Sequence, residues 1–185
     1  MSKLYVDEIH PKTTGNKVIM PQGGIIQVQY TQIDTTSVIS CAPRTGTEIS
    51  VLAVNITPVS TNSIIKIETM VNGEWADSGA GWDSTWFFYR DSTKLSAPAA
   101  GNRNVGIFMG TSLTYITSDA DSTPETAVYS YFDTPSTTSQ VTYKVGVQNG
   151  RSTAINWYLN QTVGTADAAD KERGVSMICV TEIAG

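Results

Sequence analysis

Long stretches of this chain alternate apolar and polar residues with a period of two, and this pattern constrains the fold more than any other feature. In residues 25–33, for example, Ile26, Val28 and Tyr30 alternate with polar residues. Successive side chains of a strand point to opposite faces of a sheet, so such a segment has one apolar and one polar face. The pattern predicts strands at residues 25–33, 48–57, 63–71, 85–89, 105–109, 126–132, 140–147, 155–159 and 175–183.

Turn signals separate these predicted strands. Pro58 ends the second strand, Asn72-Gly73 is the strongest short hairpin signal, and Asn149-Gly150 predicts another turn. Only residues 166–173 favour a helical turn. About eight to ten short strands at regular spacing are typical of a sandwich or barrel. Eight core strands in two sheets, with the last strand beside the first, predict an all-β jelly-roll β-sandwich.

Composition favours the same fold class. Ser and Thr together number 43, whereas charged residues make up only 16% of the chain. Thr suits the pleated surface of a sheet and Ser suits turns, while the strong helix formers are scarce. The length of 185 residues fits one domain with a short appendage. We predict a short extended N-terminal arm at residues 1–22 and the jelly-roll head at residues 23–185.

Charge and hydropathy argue against several partners. The net charge is −5 and no Lys/Arg cluster occurs, so neither nucleic acid nor an anionic membrane surface is an expected partner. The apolar runs are too short for a spanning helix. Lys3, Asp7 and Glu8 lie where a secretion signal needs an apolar core, which predicts synthesis and folding in a cytosol.

The residues suited to catalysis or metal binding are few. His10 is the only histidine and precedes a proline on the arm, so we expect no histidine-based catalysis, no zinc site and no cofactor. Asp119, Asp121 and Glu125 have a spacing that hard cations favour, but they lack the glycine and final glutamate of an EF-hand, and a solvated acidic loop is favoured. No acid pair stands out for glycoside hydrolysis. The chain is therefore predicted not to be an enzyme.

Two cysteines, Cys41 and Cys179, are present. Their spacing alone leaves a disulfide bridge open, but a reducing compartment favours two buried free thiols.

The densest aromatic cluster contains Trp75, Trp82 and Trp86. Aromatic side chains dominate cores and subunit interfaces, which is the favoured interpretation. Their flat rings can also stack on sugars, so the alternative is that these three tryptophans form a receptor-binding patch for a host surface glycan.

The N-terminal arm contains two short strand-like pieces around a polar turn, and it cannot bury a core by itself. It must therefore pair with its own domain, a neighbouring subunit or another protein. The apolar residues that we expect to make this docking contact are Leu4, Tyr5, Val6, Ile9, Val18 and Ile19.

Two segments resemble a known family. The opening Leu4-Tyr5-Val6-Asp7-Glu8-Ile9, followed by Thr14-Gly15-Asn16-Lys17-Val18-Ile19-Met20-Pro21 and by the strand at residues 24–28, resembles the N-terminal segment of fibre-like virion proteins of marine and cyanobacterial phages. The ending Ser176-Met177-Ile178-Cys179-Val180-Thr181-Glu182-Ile183 is similar to the closing strand of their trimeric heads, which look like C1q and tumour-necrosis-factor jelly rolls.

This resemblance implies a homotrimer with tryptophans and tyrosines near the threefold contacts, an arm that docks on other virion proteins, and no catalytic residues. The predicted function is a bacteriophage virion structural protein, assembled in the host cytoplasm as a short tail fibre or fibre-like component. The alternatives are a capsid decoration or head fibre protein and a carbohydrate-binding host-receptor module. The chain departs from long tail fibres because it has no repetitive shaft.

Overall fold

The structure is a computed structural model that describes residues 21–111 and 122–185. The predicted arm and its six docking residues therefore lie outside the described residues, except for positions 21 and 22 at the arm's end. In chain order the elements are β1 (Ile25–Ile33), β2 (Ser37–Cys41), β3 (Gly46–Ile56), β4 (Ile64–Trp75), α1 (Ser78–Asp83), β5 (Thr85–Arg90), β6 (Thr93–Leu95), β7 (Phe108–Met109), β8 (Glu125–Asp133), β9 (Val141–Gln148), β10 (Ile155–Leu159) and β11 (Ser176–Ile183).

The strands form two antiparallel sheets that pack as a β-sandwich. In the first sheet, β4 has β8 along one edge and β11 followed by β10 along the other, with β1 beyond β11 and β2 beyond β10. The second sheet has the order β3-β9-β5-β6, and the short β7 pairs with β5. The predicted all-β, jelly-roll-like sandwich is confirmed, including the last strand lying beside the first.

Three tryptophans form the centre of the core. Trp75, Trp86 and Trp157 are fully buried, and their ring centroids lie 5.2–6.3 Å apart in tilted or edge-to-face arrangements. Each such pair contributes about 0.5–1.5 kcal/mol of stabilisation beyond the free energy gained by burying the rings. Alternate residues of both sheets complete the core, among them Ile49, Leu52, Ile65, Ile67, Tyr143, Val145, Leu159 and Ile178.

The hairpin predicted at Asn72-Gly73 is wrong, because β4 continues through both residues to Trp75. Neither residue has a positive φ. Gly73 is instead required by a close approach: a Cβ there would lie 2.3 Å from the carbonyl oxygen of Tyr158 and 2.6 Å from the ring of Trp157. The glycine therefore lets β10 approach and pair with β4. In strands, glycine often marks such a close approach of another backbone and not a turn.

The helical turn predicted at residues 166–173 is also wrong, because the structure has turns and bends there. The helix lies at Ser78–Asp83, where the side chain of Asp77 accepts a hydrogen bond from the backbone N–H of Gly79 at 2.7 Å. This is an ordinary N-cap contact. The short strands β2 and β6 were not predicted, since β2 places Val38 and Ile39 side by side and so does not alternate, and β6 has only three residues.

Candidate interaction surfaces

The outer face of the first sheet carries a cluster of exposed apolar side chains. Val28 and Tyr30 on β1 are 49% and 72% exposed, and Val128 and Phe132 on β8 are 60% and 58% exposed. The strand register places Val28 opposite Thr181 and Tyr30 opposite Cys179 on the neighbouring strand β11. Half-buried Met70 and Met177 lie between these two strands. We call this set, Val28, Tyr30, Met70, Val128, Phe132 and Met177, the apolar outer face.

The apolar stripe of β1 points away from the sandwich, because its polar residues make the contacts toward the second sheet. Gln27 donates a hydrogen bond to the backbone oxygen of Thr57 at 2.9 Å, and the hydroxyl of Thr31 donates to the backbone oxygen of Ala53 on β3 at 2.7 Å. Alternation shows which residues share a face but not which face is inside. Here the polar face packs against the other sheet, and the apolar face is exposed.

The centre of the same face combines charge with a shallow groove. Lys66 and Glu68 form an ion pair at 2.8 Å. Met70, Val128, Met177 and other residues line a groove of 530 Å³. Cys179 also lines this groove, and burial together with the nearby Glu68 carboxylate raises the pKa of its thiol. The charges of Lys66 and Glu68 cancel, so the centre of this otherwise apolar face carries no net charge.

The outer face of the second sheet differs because its own side chains cover its aromatic residues. Phe87 is fully buried, with the Lys94 ammonium 3.9 Å from its ring centroid. Gly146 lies beneath the Phe87 ring, where a Cβ would come within 2.4 Å of it. Lys144 forms a 2.7 Å ion pair with Glu48. The lysine stems shield the aromatic surface from water while their charged ends stay solvated. The apolar outer face of the first sheet has no such cover from the described residues.

The structure separates the three tryptophans predicted as receptor-binding residues. Trp75 and Trp86 are fully buried in the core, so the receptor-binding prediction is wrong for these two and the core interpretation holds for them. Trp82 is 55% exposed at the end of α1. Residue type and chain proximity could not distinguish these positions, because Trp75 and Trp86 belong to strands and Trp82 belongs to a short helix between them.

Trp82 borders an open groove of 370 Å³ at one end of the sandwich. Four segments form it: the end of α1 with the start of β5, the loop before β7, β7 itself, and the turn after β9. Its lining residues are Trp82, Asp83, Ser84, Thr85, Asn104, Met109 and Gly150. We call this the Trp82 groove.

The remaining candidates are the two thiols and the acidic cluster. Both cysteines are free; Cys41 is buried as expected, and its burial raises the pKa of the thiol to about 12, whereas Cys179 is only half-buried. Glu125 is buried rather than solvated, and the hydroxyl of Thr111 donates a hydrogen bond to it. Asp119 and Asp121 lie outside the described residues. Within residues 21–111 and 122–185, no group of three or more potential metal ligands converges.

Sequence reasoning missed the apolar outer face, although one signal for it was present. Residues 126–132 carry large apolar side chains on both faces, with Val128 and Phe132 on one and Tyr129 and Tyr131 on the other. Strands that are apolar on both faces are typical of sheets covered on both sides. The second apolar face of β8 therefore indicated a cover from outside the sandwich.

Comparison with known proteins gives no family for the chain: neither a protein-family model nor a curated protein matches it. In the described segments, no helix has the length and apolar character needed to cross a bilayer.

Proposed function

We propose that this protein is a structural component of a bacteriophage virion that assembles as a homotrimer through the apolar outer face. In this proposal the jelly-roll head supplies the trimer contacts, and residues 1–22 anchor the head to other virion proteins. The role is structural and not catalytic. A short tail fibre or a fibre-like component is the form that the resemblance at residues 4–21 and 176–183 favours.

The observation that carries the proposal is the outward direction of the apolar stripe on β1. Val28 and Tyr30 contribute little to the sandwich core, yet residues 26–31 alternate strictly between apolar and polar side chains. Large exposed apolar patches on monomers mark interaction surfaces. Removing such side chains from water contributes about 25 cal/mol per Å² of apolar area, which offsets the entropy that the subunits lose on association. A face built in this way suits contact with another protein surface.

Charge favours a second copy of the same chain as the partner. The whole chain carries a net charge of −5, so identical subunits repel each other at most surfaces. The Lys66–Glu68 pair leaves the centre of the apolar outer face neutral, so this contact adds no local repulsion between identical subunits.

Particle incorporation tests the virion assignment. Phage particles carrying the full chain and particles made with a variant lacking residues 1–22 are purified, and the protein is quantified in each by immunoblotting. We expect the full chain in the particles and at least a tenfold loss for the truncated protein, which should remain folded by circular dichroism. Absence of the full chain from purified particles would refute the virion role, and normal incorporation of the truncated protein would refute the anchor.

Immunogold labelling of the same particles separates the two locations that the proposal allows. Gold at the tail supports a short fibre, whereas gold over the head supports a capsid decoration protein.

A further inference from the structure

We infer that the Trp82 groove is a binding site for a neutral, hexose-containing glycan. This goes beyond the structural role, because a virion protein needs no saccharide site in order to assemble. The inference depends on the chemistry of the groove: an exposed indole lies beside fixed polar groups, and the only charged residue that lines the groove is Asp83.

The apolar side of the groove consists of two unusually exposed residues. Trp82 is 55% exposed and Met109 is 83% exposed. An indole is the largest flat apolar surface that a side chain can offer, and a ligand that covers it removes this surface from water. The C–H face of a pyranose ring is flat and weakly apolar, so it fits such a surface while its hydroxyls remain free for hydrogen bonds.

The polar side of the groove is held in place by a chain of hydrogen bonds. The Lys94 ammonium donates to the side-chain oxygen of Gln148 at 3.3 Å, and the amide of Gln148 donates to the side-chain oxygen of Asn104 at 2.8 Å. The Asn104 amide in turn donates to the backbone oxygen of Asp83 at 3.5 Å. Asn104 is therefore oriented before any ligand arrives, which lowers the entropy cost of binding.

Close packing beneath Asn104 fixes the floor of the groove. A Cβ on Gly150 would lie 2.4 Å from the backbone oxygen of Asp83 and 2.7 Å from the Asn104 amide nitrogen. Only glycine fits at this position, so the turn after β9 can approach α1 closely. The groove volume of 370 Å³ lies within the range of about 300–1,000 Å³ typical of small-ligand sites.

Charge selects a neutral sugar over an acidic one. Asp83 is the only charged residue among those lining the groove, and its side chain is 57% exposed. Its carboxylate accepts one long contact, 3.4 Å, from the Arg151 guanidinium, which also lies 4.0 Å from Asp77. The carboxylate retains acceptor capacity for sugar hydroxyls. A uronic or sialic acid would meet this carboxylate, and none of the residues that line the groove carries a positive charge to balance it.

The test uses the full chain on an array of immobilised neutral oligosaccharides of glucose, galactose and mannose, with uronic-acid and sialylated oligosaccharides as the acidic arm. We expect binding in the neutral arm and none in the acidic arm. The best neutral oligosaccharide is then titrated in solution while acrylamide quenching of tryptophan fluorescence is measured. Trp82 is the only one of the four tryptophans with an exposed ring, so quenching should fall as the sugar binds.

Two variants and a control localise the site. Trp82→Ala should weaken binding at least about tenfold, and Asp83→Asn should weaken it severalfold, whereas Val51→Ala, which alters an exposed apolar residue on β3, should leave it unchanged. Failure of the full chain to bind any neutral oligosaccharide, preference for the acidic arm, or unchanged binding by Trp82→Ala would each overturn the inference. Solution mass is measured on the same samples: a trimer that binds no sugar refutes this site and leaves the assembly proposal standing.

Discussion

Glu182 shows how a buried charge can be accommodated in a chain with so few charged residues. The side chain is fully buried on β11. Its carboxylate accepts hydrogen bonds from the backbone N–H of Val59 at 2.6 Å, the hydroxyl of Ser63 at 2.5 Å and the amide of Gln27 at 2.5 Å. A buried carboxylate is tolerated when donors satisfy it, and this one ties β1 and the connection between β3 and β4 to the closing strand.

Replacing Glu182 should therefore be much more damaging than replacing an exposed glutamate. We expect Glu182→Ala to lower the free energy of unfolding by about 2–3 kcal/mol, since the buried Ser63 hydroxyl and the Gln27 amide lose a charged acceptor. Glu48→Ala is the matched control: it removes the exposed ion pair with Lys144 and should cost less than about 1 kcal/mol. Urea denaturation measures both variants, and equal losses would contradict the role given to Glu182.

Cys41 should make the protein less stable in alkali. Burial raises the pKa of its thiol from 9.0 to about 12, so the folded state keeps the proton to higher pH than the unfolded state does. The thiol's contribution is complete below pH 9 and is lost as pH rises toward 12, at up to about 1.4 kcal/mol per pH unit. The raised pKa values of Tyr129 and Tyr143 act in the same direction above pH 10.

The measurement is the free energy of unfolding at pH 8 and at pH 10.5, from urea denaturation. Cys41→Ala should lose about 1–2 kcal/mol less between the two pH values than the unsubstituted protein does. Cys179→Ala, at the less buried thiol, should show a smaller difference. Identical pH dependence in the Cys41→Ala variant and the unsubstituted protein would contradict this account.

At the scale of elements, β4 organises the first sheet. It is the longest of the described strands, with 12 residues, and it pairs with β8 on one side and with β11 and then β10 on the other. The change of neighbour occurs near Gly73, where the missing side chain makes room for the Trp157 ring and the Tyr158 carbonyl of β10. Gly73 therefore allows β11 and β10 to pair one after the other along the same edge of β4.

Gly73→Ala should destabilise the protein by about 3 kcal/mol or more, because the added methyl group meets backbone and a core ring that cannot move aside cheaply. Gly101→Ala is the control: Gly101 has a φ of +61° and no atom lies within 4 Å of the place a Cβ would take, so that variant adds only conformational strain of about 1 kcal/mol. Thermal denaturation followed by circular dichroism compares the two. A Gly73→Ala variant no less stable than Gly101→Ala would show that the close approach is not limiting.

Period-two alternation was sufficient to predict β1, β9 and β11, because a half-buried strand of eight or nine residues leaves a clear pattern. It could not show that Val28 and Tyr30 point outward, since alternation has the same form for either orientation. The hairpin predicted at Asn72-Gly73 was wrong because glycine is also used where strands pack closely, and not only in turns. The separation of Trp82 from Trp75 and Trp86 depends on tertiary contacts, which local residue patterns do not contain.

At the scale of the whole molecule, the two outer faces of the sandwich differ in how they meet water. Lysines cover the aromatic residues of the second sheet, whereas the apolar outer face of the first sheet has Tyr30, Val128 and Phe132 more than half exposed. This asymmetry is expected if one face is solvated and the other meets neighbouring subunits. The Trp82 groove lies at an end of the sandwich, so a ligand there need not compete with the subunit contact.

A charge introduced on each outer face tests this asymmetry. Val128→Glu should dissociate the trimer, because a carboxylate buried at a subunit contact without a partner costs several kcal/mol. Val51→Glu, at a position of β3 with 49% exposure, should leave the trimer intact. Both variants should remain folded by circular dichroism, and size-exclusion chromatography with light scattering gives their masses. Loss of the trimer in both variants, or in neither, would contradict the assignment of the contact to the first sheet.

Sedimentation equilibrium of the unsubstituted full chain at micromolar concentration tests the central claim most directly. We expect a single species with three times the chain mass of 19.9 kDa, unchanged by moderate salt because the contact is mainly apolar. A stable species of 19.9 kDa across the same concentrations would contradict it, since the apolar outer face would then remain exposed to water.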